Sequence, residues 1–146
     1  MTVASIMTCK VVTANINDSL STICEIFENA KFHHIFLVDN RNLIGVISDR
    51  NLPAEKERDA ATMNKKAYEI MSKVAVTVDA KTSIEKVSNL LLENNISCIP
   101  VVSPEGVIEG IVSWREIMKF YLKEHKNIYL EKHQEDMKKR NGIRSG

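Results

Sequence analysis

The chain is written twice over. Moved 64 positions along itself, the sequence superposes Ile6-Met7 on Ile70-Met71, Val12-Thr13 on Val76-Thr77, Ser19 on Ser83, Ile35 on Ile99 and Val38 on Val102. One residue inserted near Ile108 changes the offset to 65, and Gly45 then meets Gly110, Ser48 meets Ser113 and Arg50 meets Arg115. Self-similarity at a fixed period is the mark of a duplicated supersecondary unit that cannot bury its apolar face alone. Any fold for this chain must therefore seat two like units against each other.

Each repeat has the same plan. A short β-branched run opens it, Val11-Val12-Thr13 in the first repeat and residues 74–78 in the second. A helix follows. Leu20, Ile23, Cys24, Phe27 and Ala30 fall on one helical face, and Ile84, Val87, Leu91 and Asn94 keep that spacing, with Leu90 and Leu92 widening the stripe. Asp18 is placed to cap the first helix, and Thr82 with Glu85 has a capping-box spacing at the second. Two apolar runs then flank a turn: 35–38 and 43–47 around 39–42, and 99–102 and 107–112 around 103–106. Their consecutive apolar residues predict strands covered on both faces. A last helix is expected near Ser48 and again near Ser113. The order is β-α-β-β-α, twice. This is an α+β fold whose tandem repeats pack with pseudo-two-fold symmetry, each supplying the other's missing wall.

The first repeat spans residues 1–52 and the second 67–123, joined by a charged linker, 53–66, with some helical turns. Residues 124–146 form a basic tail, helical or disordered, with disorder expected over 137–146. Residues 119–146 carry eight Lys or Arg against four Asp or Glu. Those acids interleave with the bases and only 5% of the chain is aromatic, a pattern of a solvated face rather than a nucleic-acid surface. The formal net charge of +1 gives no strong field toward nucleic acid or an anionic membrane. Cys9, Cys24 and Cys98 are odd in number and form no C-x-x-C pair, which argues against a disulfide framework and a zinc site and for the reducing cytoplasm. No apolar run approaches the roughly 18 residues of a membrane span, and the first residues lack the pattern of a signal peptide. His33 and His34, neighbours on a strand, point to opposite faces and cannot share one metal ion. No phosphate-binding P-loop, nucleophile elbow or H-E-x-x-H motif occurs, so no catalysis is expected.

Arg50 and Arg115 fall in the first turn of the predicted last helices. A cation there opposes the helix dipole, and a bound phosphate would turn that cost into a charge-assisted contact. Simple exposure to solvent explains the two arginines equally well.

GVISDRNL at 45–52 and GIVSWREI at 110–117 resemble the G-h-h-[S/T]-x-x-D signature of the CBS-domain family. SCIPVV at 97–102 resembles its second-strand motif, and IMT and IMS resemble its repeat-opening segments. The resemblance covers about residues 4–123 and is to a stand-alone pair of bacterial type, a Bateman-type module. It implies a ligand in a cleft between the repeats: AMP, ADP, ATP or another adenosyl compound, with no cofactor required. It also implies pairing into homodimers and regulation of a separate partner protein. Its site residues map onto Ser48 and Asn51, and onto Ser113 and Glu116, with Arg50 and Arg115 beside them as the candidate phosphate contacts argued above. They include Thr13 and Thr77 at the ends of the first strands, and His34, Ile35, Phe36, Cys98, Ile99 and Pro100 around the base pocket. The family's ribose-binding aspartate is replaced by Asn51 and Glu116. Ser113-x-x-Glu116 is also a capping box that needs no ligand, while Ser48 is expected to cap alone. A pair with degenerate sites that acts only through dimerisation and protein contact is the alternative.

Overall fold

The computed structural model of the chain describes residues 1–29 and 32–145; Ala30, on the predicted face of the first helix, lies outside them. The first repeat contains β1 (Thr13–Asn15), α1 (Leu20–Glu28), β2 (His34–Asp39) and β3 (Asn42–Ser48), and ends in a 3-10 turn, Asp49–Asn51. A second 3-10 turn (Glu55–Glu57), α2 (Ala60–Met63), α3 (Ala67–Ile70) and β4 (Ser72–Lys73) lead into the second repeat. That repeat contains α4 (Ile84–Asn94), β5 (Cys98–Val102), β6 (Ile108–Ser113) and α5 (Trp114–Ser145). One sheet has the order β1-β2-β3-β4 and the other is the β5-β6 hairpin. β2 buries Ile35, Phe36 and Leu37 in succession, and β5 buries Ile99, Pro100 and Val101, so both strands are covered on two faces.

The repeats exchange their opening segments. Val3 donates its backbone N–H to Thr82 (2.7 Å), Ile84 to Met1 (3.2 Å), and Thr8 pairs with Ile111 through two bonds of 2.8 and 2.9 Å. The equivalent bonds run the other way across the pseudo-two-fold: Ala67 donates to Asp18 (2.8 Å), Leu20 to Lys65 (2.8 Å), and β4 pairs with β3 through Gly45↔Lys73 and Val46↔Ser72. The two cores follow the exchange. Val3 is wholly buried among Val78, Ile84, Val87, Leu91, Ile99, Val101, Val112 and Ile117 of the second repeat. Ala67 is wholly buried with Leu20, Ile23, Cys24, Ile35, Leu37 and Ile47 of the first. A second seam joins the hairpins, where Leu43 donates to the Gly106 carbonyl at 3.1 Å.

Several local expectations are corrected. The first strand begins at Thr13 rather than Val11, and residues 74–78 form no strand, only a single parallel bridge from Val78 to Val101. Pro100 supplies the reason. In the first repeat Phe36 donates to the Val12 carbonyl at 3.0 Å, whereas Pro100, at the matching position, has no N–H to give. Ser19, not Asp18, caps α1 by accepting from Thr22 N, and Asp18 accepts from Asn15 N. Ser83, not Thr82, caps α4 by accepting from Lys86 N. Leu92 is 66% exposed and widens no buried stripe. No α-helix follows Ser48: Pro53 pushes Leu52 to extended angles (φ −74, ψ 145) and the chain leaves after three residues. At the other end α5 continues unbroken through the stretch from Met137 that was expected to be disordered.

Candidate functional site

A cleft opens between the repeats in two joined lobes. One, of about 690 Å³, is lined by His33, His34, Ser48, Asp49, Arg50 and Ser97. The other, of about 550 Å³, shares His34, Arg50 and Ser97 and adds Phe36, Val46 and Pro100, with walls from residues 72–76 and 94–98. β2, β3 and the turn after them thus form one side. The other side comes from β4 and the strand-less segment behind it, the end of α4 and the start of β5. The exchange of opening segments builds this cleft, because β4 carries Ser72 and Lys73 onto the edge of the first repeat's sheet.

Its charge is positive. Arg50 and Lys73 line the second lobe from different repeats. Asp49 is the one carboxylate among the described lining residues of either lobe, and it is already held by His33 Nδ1 at 2.8 Å. The hydrogen bond from His33, outweighing slight desolvation, holds the Asp49 carboxyl below its ordinary range. Burial holds the His34 imidazole below its ordinary value, with His33 adding to the shift and Asp49 opposing it, so His34 enters the cleft as a neutral ring. Burial also pushes the Cys98 thiol up, which makes it a poor nucleophile. Among the described residues no three His, Cys, Asp or Glu side chains cluster as a metal site.

Of the residues expected from sequence, His34, Phe36, Ser48, Arg50, Cys98 and Pro100 meet in this cleft. Ile35 and Ile99 are wholly buried in the cores behind it. Thr13 lies on β1 opposite Phe36, Thr77 lines a separate hollow with Asp79 and Lys86, and Arg115 is exposed on α5. Asn51 faces a different hollow, beside Leu52, Pro53 and Lys65. Ser48 does not cap alone: Asn51 Oδ1 accepts from Ser48 N (3.1 Å) and Ser48 Oγ (2.7 Å). The anion site expected at a helix start is absent there, since a three-residue turn has no helix dipole to offer. Lys73, Asn94, Asn95 and Ser97 are cleft residues that sequence reasoning missed. The repeat offset pairs Lys73 with Cys9, so duplication gave no signal for it.

Glu116 is likewise committed elsewhere. It accepts from Ser113 N at 3.0 Å and from the Ser113 hydroxyl, and its other oxygen accepts from Thr8 Oγ1 at 3.0 Å. Ser113 and Glu116 therefore cap α5 and pin the exchanged segment to it. Burial pushes the Glu116 carboxyl up, but the hydrogen bonds from Ser113, from its own backbone N–H and from Thr8 together outweigh it and leave the group below its ordinary 4.5. A depressed folded-state value stabilises the fold above pH 4.5, and that contribution is lost as pH falls through the folded value. Glu116→Gln is expected to flatten the acid limb of a urea-midpoint curve taken from about pH 7 to about pH 3. An acid limb as steep as the parent's would show that the carboxylate is unimportant there.

The family model for the CBS domain matches residues 3–52 and 67–123. Homoserine O-acetyltransferase of Methanococcus vannielii is 29% identical over 116 residues, which are 79% of this chain and 24% of that protein. The chain spans less than half of the length of the curated relatives it matches, 24% and 26% of the first two and 43% of another. Among solved structures, the CBS domain pair of protein MJ0100 in complex with 5-methylthioadenosine and S-adenosyl-L-methionine superposes with a TM-score of 0.70 at 25% identity, covering 85% of this chain and 98% of that one. The cytosolic domain of the Mg2+ channel MgtE in complex with ATP gives 0.70 at 25% identity, covering 82% and 48%. No helix among the described residues is long and apolar enough to cross a membrane.

Proposed function

The chain belongs to the CBS-domain family, and from that premise we propose that it is a regulatory module that binds an adenine nucleotide in the cleft between its repeats and acts on a separate partner protein. The observation that carries this reading is the placing of Arg50 and Lys73, one from each side, in a cleft whose described carboxylate is already paired. Such a site favours an anion and disfavours a cation. AMP, ADP or ATP suits it better than the sulfonium of S-adenosylmethionine. The half-buried His34, backed by the buried Phe36 and Pro100, gives a base the apolar and aromatic wall that nucleotide pockets use. A ligand touching both sides biases their relative angle by its differential affinity for the two arrangements, and the partner reads the changed surface. The protein is proposed to act in the cytoplasm as a pair of identical chains, without catalysing a reaction.

Thermal melts and calorimetry with AMP, ADP, ATP, adenosine and S-adenosylmethionine test this. A ligand at 100 times its dissociation constant adds about 2.7 kcal/mol to stability. Lys73→Gln and Arg50→Gln are each expected to weaken AMP about tenfold, or about 1.4 kcal/mol, and to leave any weak adenosine binding unchanged. Equal losses for AMP and adenosine would remove the phosphate role. A second reading is favoured by the engagement of Asn51 and Glu116 in capping turns, which leaves neither free for a ribose. In that reading the pair is a dimerisation or interaction scaffold, and no nucleotide shifts the melt even at millimolar concentration.

A further inference from the structure

We propose that α5 pairs with α5 of a second copy of this chain, side by side and pointing the same way, along Met118, Tyr121, Leu122, Ile128 and Tyr129. The inference rests on the pairing of two chains named above, and not on nucleotide binding.

α5 is attached to the body only at its start. Ile117 is 3% exposed in the second core and Phe120 packs against it. From Tyr121 to Arg140 every residue is exposed. A lone helix held at one end draws no stability from packing along its length and is marginal in water. Yet its first exposed turns are apolar: Met118 is 58% exposed, Tyr121 44%, Leu122 61%, Ile128 55% and Tyr129 62%. Their spacing of three, four and seven puts them on one stripe, with His125 between them. At about 100° per residue Met118, Leu122 and Tyr129 are turned about 100° or more from both Ile117 and Phe120, while Tyr121 and Ile128 lie on the Ile117 edge of the helix and stand exposed all the same. Past Tyr129 the same stripe carries Lys132, Asp136 and Lys139, which ends the apolar seam.

The charges beside the stripe choose both occupant and direction. On one flank lie Glu124, Glu131 and Glu135; on the other lie Lys119 and Lys126, with Lys123 behind them. In a parallel two-fold pair, opposite flanks of the two helices meet, so each glutamate row faces a lysine row. In an antiparallel pair like flanks meet, and the glutamate rows would face each other. A second α5 in parallel is therefore complementary in shape, polarity and charge.

The test uses the full chain. Sedimentation velocity is expected to show a concentration-dependent dimer, and Leu122→Glu with Ile128→Glu to weaken it about a hundredfold while thermal unfolding of the body is unchanged. In a Cys9→Ser background, Leu122→Cys and Tyr129→Cys are each expected to form an interchain disulfide on mild oxidation, because a parallel pair brings every seam residue beside its own counterpart. A chain that is monomeric at all concentrations overturns both this inference and the proposed pairing. A dimer that survives Leu122→Glu/Ile128→Glu overturns this inference alone. Cross-linking at only one of the two positions, or at neither, overturns the parallel direction.

Discussion

Val3→Asp is expected to unfold the second repeat before the first, although Val3 belongs to the first in sequence. Its side chain is wholly buried among Val87, Leu91, Ile99 and Val112. A carboxylate forced into that apolar cluster has no partner and costs several kcal/mol, comparable with the roughly 5–15 kcal/mol that holds a domain folded. Ala67→Asp is the mirror case and strikes the first repeat, where Ala67 is wholly buried against Ile23, Leu37 and Ile47. Amide hydrogen exchange read by segment distinguishes the two. In Val3→Asp the amides of β5 and β6 should lose protection while those of β2 and β3 keep it, and Ala67→Asp should reverse the order. Loss of β2 and β3 first in Val3→Asp would mean that the opening segments do not cross over.

Gly110→Val is expected to cost more than about 3 kcal/mol, beyond the ordinary overpacking range of about 1–3 kcal/mol. A Cβ at Gly110 would stand 2.9 Å from Met7 Sδ and 2.9 Å from the Thr8 carbonyl oxygen. The thioether can swing aside, but the carbonyl cannot, because it accepts from Ile111 N at 2.9 Å. Gly45 meets the same obstruction from Met71 Sδ at 2.5 Å and the Ser72 carbonyl at 2.9 Å. Met7→Ala should therefore rescue little of Gly110→Val. Urea unfolding of the single and double variants settles this; a double variant as stable as the parent would place the whole clash on the methionine.

Much of this was legible in residues. The 64-residue offset announced two like units, and the unbroken apolar runs at 35–38 and 99–102 announced strands buried on both faces. The α+β fold follows from them, and the family resemblance carried by GVISDRNL and GIVSWREI agrees with the matched family model. The exchange of opening segments was not legible. Ile6-Met7 and Ile70-Met71 are alike, so hydrophobic periodicity is satisfied equally by a segment packed on its own repeat or on the other. The caps were misplaced by one residue because Asp18-Ser19 and Thr82-Ser83 each offer two capping side chains in a row, and only the backbone angles choose. Six of the expected cleft residues meet in the cleft because strand and turn positions transmit directly from the motif. Lys73 escaped because it reaches the cleft through a strand pairing made across the repeat boundary.

The crossing of the opening segments also orders events in time. Thr8 and Glu116 touch although they stand 108 positions apart, so the part of this chain that leaves the ribosome early is placed late. A nascent chain holding only the first repeat lacks Ala67 and β4 to seal its interior, and its leading residues have nowhere to dock until β6 is made. Closing so long a loop before any contact rewards it slows assembly. Until β6 and Ala67 are made, Val3 and the face meant for Ala67 have no apolar partners and stay open to water.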